Sequence, residues 1–206
     1  MTIISVRLRC PAIAAILYAL LTVAVLLGWP RTPDRAVSDA LRTFGRTHQT
    51  LIDIIRVLTD AGSTIPFLAV GLTLGATLLV RRKRREAGLT LSVTVLIPIL
   101  WSLSHWLVPH SRPPDGFIHL TSYGFPSGHT ANATAAALVA VRLLGSRRLV
   151  RGCAIGFVVF VGMSRVLLLA HYPSQVIGGV LLSAAVVPVL AGGWVPLSPA
   201  GRARPR

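Results

Sequence analysis

GSTIPFLAVGLTLGATLLVRRKRRE, residues 62–86, runs without a charge from Gly62 to Val80 and then meets Arg81, Arg82, Lys83, Arg84 and Arg85 in a row. A bilayer core of ~30 Å takes about 20 apolar residues to cross as a helix. A basic block standing alone would read as a nuclear signal or a nucleic-acid patch. Abutting a span, it reads as an anchor on the cytoplasmic side.

The whole composition agrees with that stretch. Of 206 residues, 53% are hydrophobic and only 13% charged, where soluble domains carry about 25%. The mean hydropathy is +0.69. The formal net charge of +15 lies mostly in short clusters between apolar runs, which is topology information and excludes a nucleic-acid partner. Cys10 and Cys153 are far apart and each adjoins an apolar run, so no disulfide framework or metal-ligand spacing is available. Cys10 reads as a packing or interfacial residue, with acylation the alternative.

Further apolar runs cover 11–28, 88–107 (with Pro98 inside), 126–144, 152–170 and 174–195. The first follows Arg7 and Arg9 like a signal peptide. It ends, however, in Gly28-Trp29-Pro30 without a small-x-small cleavage site, and more spans follow, so it reads as a retained span. Residues 31–60 differ in kind. Arginines alternate with Asp34, Asp39, Asp53 and Asp60, and apolar residues recur with helical spacing at Val37, Ala40, Leu41 and Phe44, then at Leu51, Ile52, Ile55 and Leu58. Thr32-Pro33-Asp34 suits a helix start. One or two amphipathic helices lying along the membrane surface, or capping the bundle, are expected. Gly71 with Gly75, and Gly152 with Gly156, are small-xxx-small pairs of the kind that pack helices. The expected fold is therefore all-α and polytopic. A single membrane-embedded domain over 1–206 would hold six transmembrane helices (11–28, 62–80, 88–107, 126–144, 152–170, 174–195), amphipathic helices in 31–60 and a basic tail at 201–206.

Six spans put both termini on one side. That side collects Arg7 and Arg9, the block at 81–85, Arg142, Arg147, Arg148 and Arg151, and the arginines of the tail. By the positive-inside rule both termini are cytoplasmic. The loops with Arg112, Ser127, His129, Arg165 and His171 then face outward. Arg165 stands inside an apolar run, which is expensive and calls for a partner or a function. Pro126-Ser127-Gly128-His129 opens the next run. Taken alone it is either a plain loop-to-helix junction or a site where helix amides, a close-approach glycine and a proton-moving histidine meet an anion. Two arginine forks, a serine hydroxyl and helix amides suit the charge of a phosphoryl group in transfer. Two histidines add a group to attack phosphorus and a group to protonate the leaving oxygen. No metal or other cofactor is required by this set.

The order and spacing resemble the type 2 phosphatidic acid phosphatases, membrane lipid phosphatases that share their site with vanadium haloperoxidases. That family carries Lys-x6-Arg-Pro, Pro-Ser-Gly-His and Ser-Arg-x5-His-x3-Asp. The second motif is intact at 126–129. The first is present as Arg112-Pro113 with His105 in the lysine position. The third is present as Ser164-Arg165 and His171 with Gln175 in the aspartate position. The resemblance implies His171 as nucleophile through a phosphohistidine, His129 as general acid, and Arg112, Arg165, Ser127 and Gly128 as phosphate ligands, with His105 in the lysine's place. It also implies a helix bundle with its pocket at the outer leaflet.

Two departures stand out. Gln175 can accept the nucleophile's hydrogen bond as the aspartate does, but it cannot supply the negative charge. The comparable aspartate-to-asparagine change in a serine protease costs about 10⁴ in rate, largely through the wrong histidine tautomer. His105 exchanges a permanent cation for a group mostly neutral near pH 7. The activity expected is hydrolysis of a lipid phosphate or polyprenyl diphosphate. A weakened or inactive member that only binds a lipid phosphate, and a lipid phosphotransferase, are the alternatives. The partners expected are the lipid phosphate substrate and membrane lipids. His48, His110 and His119 read as surface or interfacial residues, and Asp115 as a turn residue before Gly116. Trp106, Tyr123 and Phe125 read as interfacial aromatics.

Overall fold

The computed structural model describes residues 2–145 and 147–192, with side chains from residue 10 onward; the expected basic tail at 201–206 lies outside the described residues. Among the described residues eight α-helices follow one another: α1 Thr2–Leu26, α2 Arg31–Thr47, α3 Gln49–Thr59, α4 Thr64–Val80, α5 Arg84–Leu107, α6 Gly128–Leu144, α7 Arg148–Leu167 and α8 Pro173–Gly192. No strand occurs among the described residues. The chain is an all-α membrane protein.

Length and apolarity alone give four helical segments able to cross a membrane, or five if the bent pair α1–α2 is counted as one. The expected count of six is not reached by that measure, and the composition of α6 explains why. It has 17 residues and begins Gly-His-Thr-Ala-Asn-Ala-Thr, shorter and more polar than the ~20 apolar residues of a lipid-exposed span. It is the central helix, with nine buried residues, so its neighbours rather than lipid surround it. The main hydrophobic core joins Leu89, Val93 and Ile97 of α5 with Ala131, Ala135 and Val139 of α6 and Leu182 and Val187 of α8. Gly179 lets α8 touch the start of α6, because a Cβ there would press on the Ser127 carbonyl and the Ala131 amide.

Residues 31–60 divide in two. The described part of α1 and α2 meet at 83°, so α2 runs across the end of the bundle. It buries Asp34, Ser38 and Gly45, while Val37 and Phe44 of its apolar stripe stay exposed. The small and polar residues face the protein, and the apolar stripe is left for the membrane surface. α3, by contrast, does not lie flat: it prolongs α4, the two forming one 32-residue segment from Gln49 to Val80. The paired glycines also part company. Cβ atoms at Gly71 and Gly75 would strike Thr94 and Leu91 of α5, whereas nothing lies within 4 Å at Gly152 or Gly156. The second pair therefore faces away from the bundle. Cys10 and Cys153 are exposed on the chain's surface.

Candidate active site

The loop between α5 and α6 folds back over the α7–α8 junction, with Phe117 N–H donating to the Leu168 carbonyl at 3.0 Å and Gly124 N–H to the His110 carbonyl at 2.8 Å. This brings Arg112 to His171. Arg112 is anchored by three carbonyls: its Nε donates to Ser122 at 2.8 Å, its Nη2 to Tyr123 at 2.8 Å and its Nη1 to Ala170 at 2.8 Å. The same Nη1 donates to His171 Nε2 at 2.7 Å. Burial lowers the Arg112 pKa to about 10, so it remains a cation at neutral pH.

His171 is buried just before α8. Its Nδ1 lies 3.0 Å from the Gly124 carbonyl and 3.1 Å from Gln175 Oε1. Gln175 is fully buried and uses both ends of its amide. Oε1 also accepts from the Tyr172 N–H at 3.2 Å, and Nε2 donates to the Ser111 carbonyl at 2.7 Å and to His110 Nδ1 at 2.8 Å. The two backbone groups fix the amide's orientation, since an N–H must face oxygen and a carbonyl must face nitrogen-bound hydrogen. Hence His171 Nδ1 carries the proton and Nε2 the lone pair. His110 Nδ1 must likewise be an acceptor. The tautomer penalty expected of an amide in the aspartate's place therefore does not arise; only the missing charge remains. Burial, then the charges of Arg112, Arg165 and His129, push the His171 pKa well below its ordinary value, with the Gln175 hydrogen bond acting the other way. A neutral, nucleophilic imidazole follows.

Ser127 has no exposed surface and caps α6, its Oγ accepting from Thr130 Oγ1 at 3.1 Å, while its own N–H donates to the Gln175 carbonyl at 2.8 Å. A Cβ at Gly128 would strike the Trp101 ring. His129 is half-buried on the first turn of α6. Arg165 is 2% exposed on α7, and its Nε has no hydrogen-bond partner among the described residues; burying such a donor without a partner is costly. Its neighbour Ser164 is held by Thr59 Oγ1 at 2.7 Å, tying α7 to α3.

The remaining sequence readings divide. His105, expected beside the phosphate, instead places Nε2 2.9 Å from the Pro126 carbonyl; it braces the backbone that leads into Ser127. His110, expected at the surface, is half-buried and bonded to Gln175. Asp115 takes a left-handed turn with φ +56°. Sequence reasoning missed Gly124, whose carbonyl meets His171 and whose missing Cβ leaves room for the Gln175 amide. A glycine two residues before Pro126 was the available signal. It also missed Asp34 of α2, which is buried and accepts from the Ser174 N–H at 3.0 Å and from the Ser174 hydroxyl.

A family model described as the PAP2 superfamily matches residues 105–194. The fold is similar to a crystal structure of a transmembrane PAP2 type phosphatidylglycerolphosphate phosphatase from Bacillus subtilis. That likeness has 25% sequence identity and a TM-score of 0.77, covering 89% of this chain and 94% of that one. No curated protein matches the sequence. The segment from His105 through α8 carries the match to the PAP2 superfamily model, and the helical architecture carries the likeness to the Bacillus subtilis phosphatase over most of the chain.

Proposed function

We propose that this protein is a lipid phosphatase that hydrolyses a phosphate ester at the outer leaflet through a phosphohistidine on His171, without a metal ion. The observation that carries the reading is the state of His171: Nδ1 is held as a donor by Gly124 and Gln175, and Nε2 faces the Arg112 guanidinium. In the first step the Nε2 lone pair attacks phosphorus and the bond from phosphorus to the lipid oxygen breaks. His129, protonated once the anionic phosphate lies beside it, gives that oxygen its proton. In the second, water attacks the phosphohistidine, His129 takes the water's proton, and phosphate leaves with Nε2 neutral again. Arg112, the unpartnered Nε of Arg165 and the amides at the start of α6 spread the charge on the phosphoryl oxygens.

The structural neighbour is a phosphatidylglycerolphosphate phosphatase, which supports a phosphomonoester lipid as substrate; phosphatidic acid and polyprenyl diphosphates share the reacting group. The outward placement is supported by the basic residues gathered at 81–85 and at Arg142, Arg147, Arg148 and Arg151. Purified protein in mixed micelles should release phosphate from phosphatidylglycerol phosphate with chelator present, and His171→Ala should abolish it. Equal inertness of both proteins on all three lipid classes would leave only a binder of lipid phosphates.

A further inference from the structure

We propose that Asp34 supplies, at one remove, the negative charge that position 175 lacks, through a polar chain running from His171 to Gln175, then to His110, and on to a pocket shared with Asp34. The inference rests on the phosphatase reading above. The first two links are hydrogen bonds, at 3.1 Å and 2.8 Å, between groups whose donor and acceptor ends are already fixed. With Nδ1 accepting, neutral His110 carries its proton on Nε2. The ring borders a cavity of about 370 Å³ lined by Arg31, Asp34, Arg35, Pro109, Ser111 and Tyr172. Within that wall Asp34 is the anion: it is 4% exposed, and among the described residues the one ion pair is Arg42 with Asp39. Its two bonds to Ser174 place it at the first turn of α8, one residue before Gln175.

The chemistry gives the chain a purpose. When Nε2 bonds to phosphorus, His171 becomes a cation whose Nδ1–H leans harder on the Gln175 carbonyl. The amide polarises, its N–H₂ pulls on the His110 lone pair, and the His110 Nε2–H is stabilised by a nearby carboxylate. No proton crosses the amide; only polarisation does. Asp34 also raises the proton affinity of His110, although burial outweighs it and keeps that ring neutral. Asp34 and His110 are thus positioning residues acting through Gln175. A cap for α8 alone would need the bonds to Ser174 but not the charge.

Asp34→Asn keeps an acceptor for the Ser174 amide and removes the charge. Inorganic orthovanadate, which bonds to a nucleophile as a transferred phosphoryl group does, reports the cationic His171 without turnover. Its affinity for the full-length protein in detergent is expected to fall about tenfold in Asp34→Asn, the effect of about 1.4 kcal/mol, and kcat on the lipid to fall in parallel. His110→Asn keeps an acceptor for Gln175 but cuts the chain, so it should show the same loss, and the double variant should be no worse than either single. Should Asp34→Asn not fold, His110→Asn carries the test alone. Vanadate affinity within twofold of wild type in the folded variants, whatever their Tm, would overturn the proposal and leave the phosphatase reading intact. A wild-type protein that neither binds vanadate nor releases phosphate would overturn both.

Discussion

Arg112 Nη1 stands 2.7 Å from His171 Nε2, so the guanidinium that would bind the phosphoryl group touches the nitrogen that would attack it. Attack requires that contact to yield while the Ser122, Tyr123 and Ala170 carbonyls keep the guanidinium in place. Lysine offers one point charge and cannot span those three acceptors. Arg112→Lys should therefore lower kcat/KM by about 10²–10³, the range for losing one preorganised donor to transition-state charge. Steady-state kinetics on a lipid phosphate check this, and a KM effect alone would show that Arg112 only recruits substrate.

In the proposed role of general acid, His129 matters in proportion to how badly the leaving oxygen needs a proton. His129→Gln should slow release from a lipid ester by about 10²–10⁴. On an aryl phosphate whose phenolate leaves unaided, the first step should lose much less. Comparing the two substrates in one preparation tests the role separately from any change in binding.

Placing the motif's aspartate at 175 should not improve turnover. The shorter side chain cannot reach His171, Tyr172, Ser111 and His110 together, as Gln175 does. Gln175→Asp would leave buried polar groups unpaired, at about 1–3 kcal/mol each. Thermal unfolding should show a lower Tm, and lipid turnover should fall rather than rise.

Acid should weaken the same junction through His110. Its Nδ1 accepts from Gln175 only while the ring is neutral. Burial lowers its pKa, with Asp34 opposing and Arg31 assisting; Arg35, Tyr172 and Gln175 complete its surroundings. Because the folded-state pKa is the lower one, the unfolded chain binds the extra proton first. The stabilisation is then complete above the unfolded value of about 6.5 and is lost as pH falls towards the folded one. Tm measured from pH 7.5 down to 5 should drop, and His110→Asn, which cannot titrate, should flatten that slope.

The membrane fold was legible because uncharged runs and basic blocks are local signals that no distant contact overrides. The family motifs were legible for the same reason, being short strings of fixed spacing. What escaped reading depends on partners far off in the chain. Asp34 is 140 residues from Ser174, and His110 is 65 from Gln175, so each looked like an ordinary polar residue at a surface. The stripe of α2 misled in another way. Hydrophobic periodicity marks a face but not what covers it, and here Asp34, Ser38 and Gly45 meet the protein while Val37 and Phe44 do not. His105 was assigned by its place in a motif, whereas its nitrogen goes to the Pro126 carbonyl.

The four bonds of Gln175 also bear on how this sequence can change over generations. Ser111 offers an acceptor and His110 another, both suited to an amide and neither to a carboxylate. An aspartate there would leave His110 and the Ser111 main-chain carbonyl, which persists whatever residue stands at 111, without their donor. Position 175 is therefore tied to the side chain at 110 and to the path of the backbone at 111, and a change at 175 alone disturbs both.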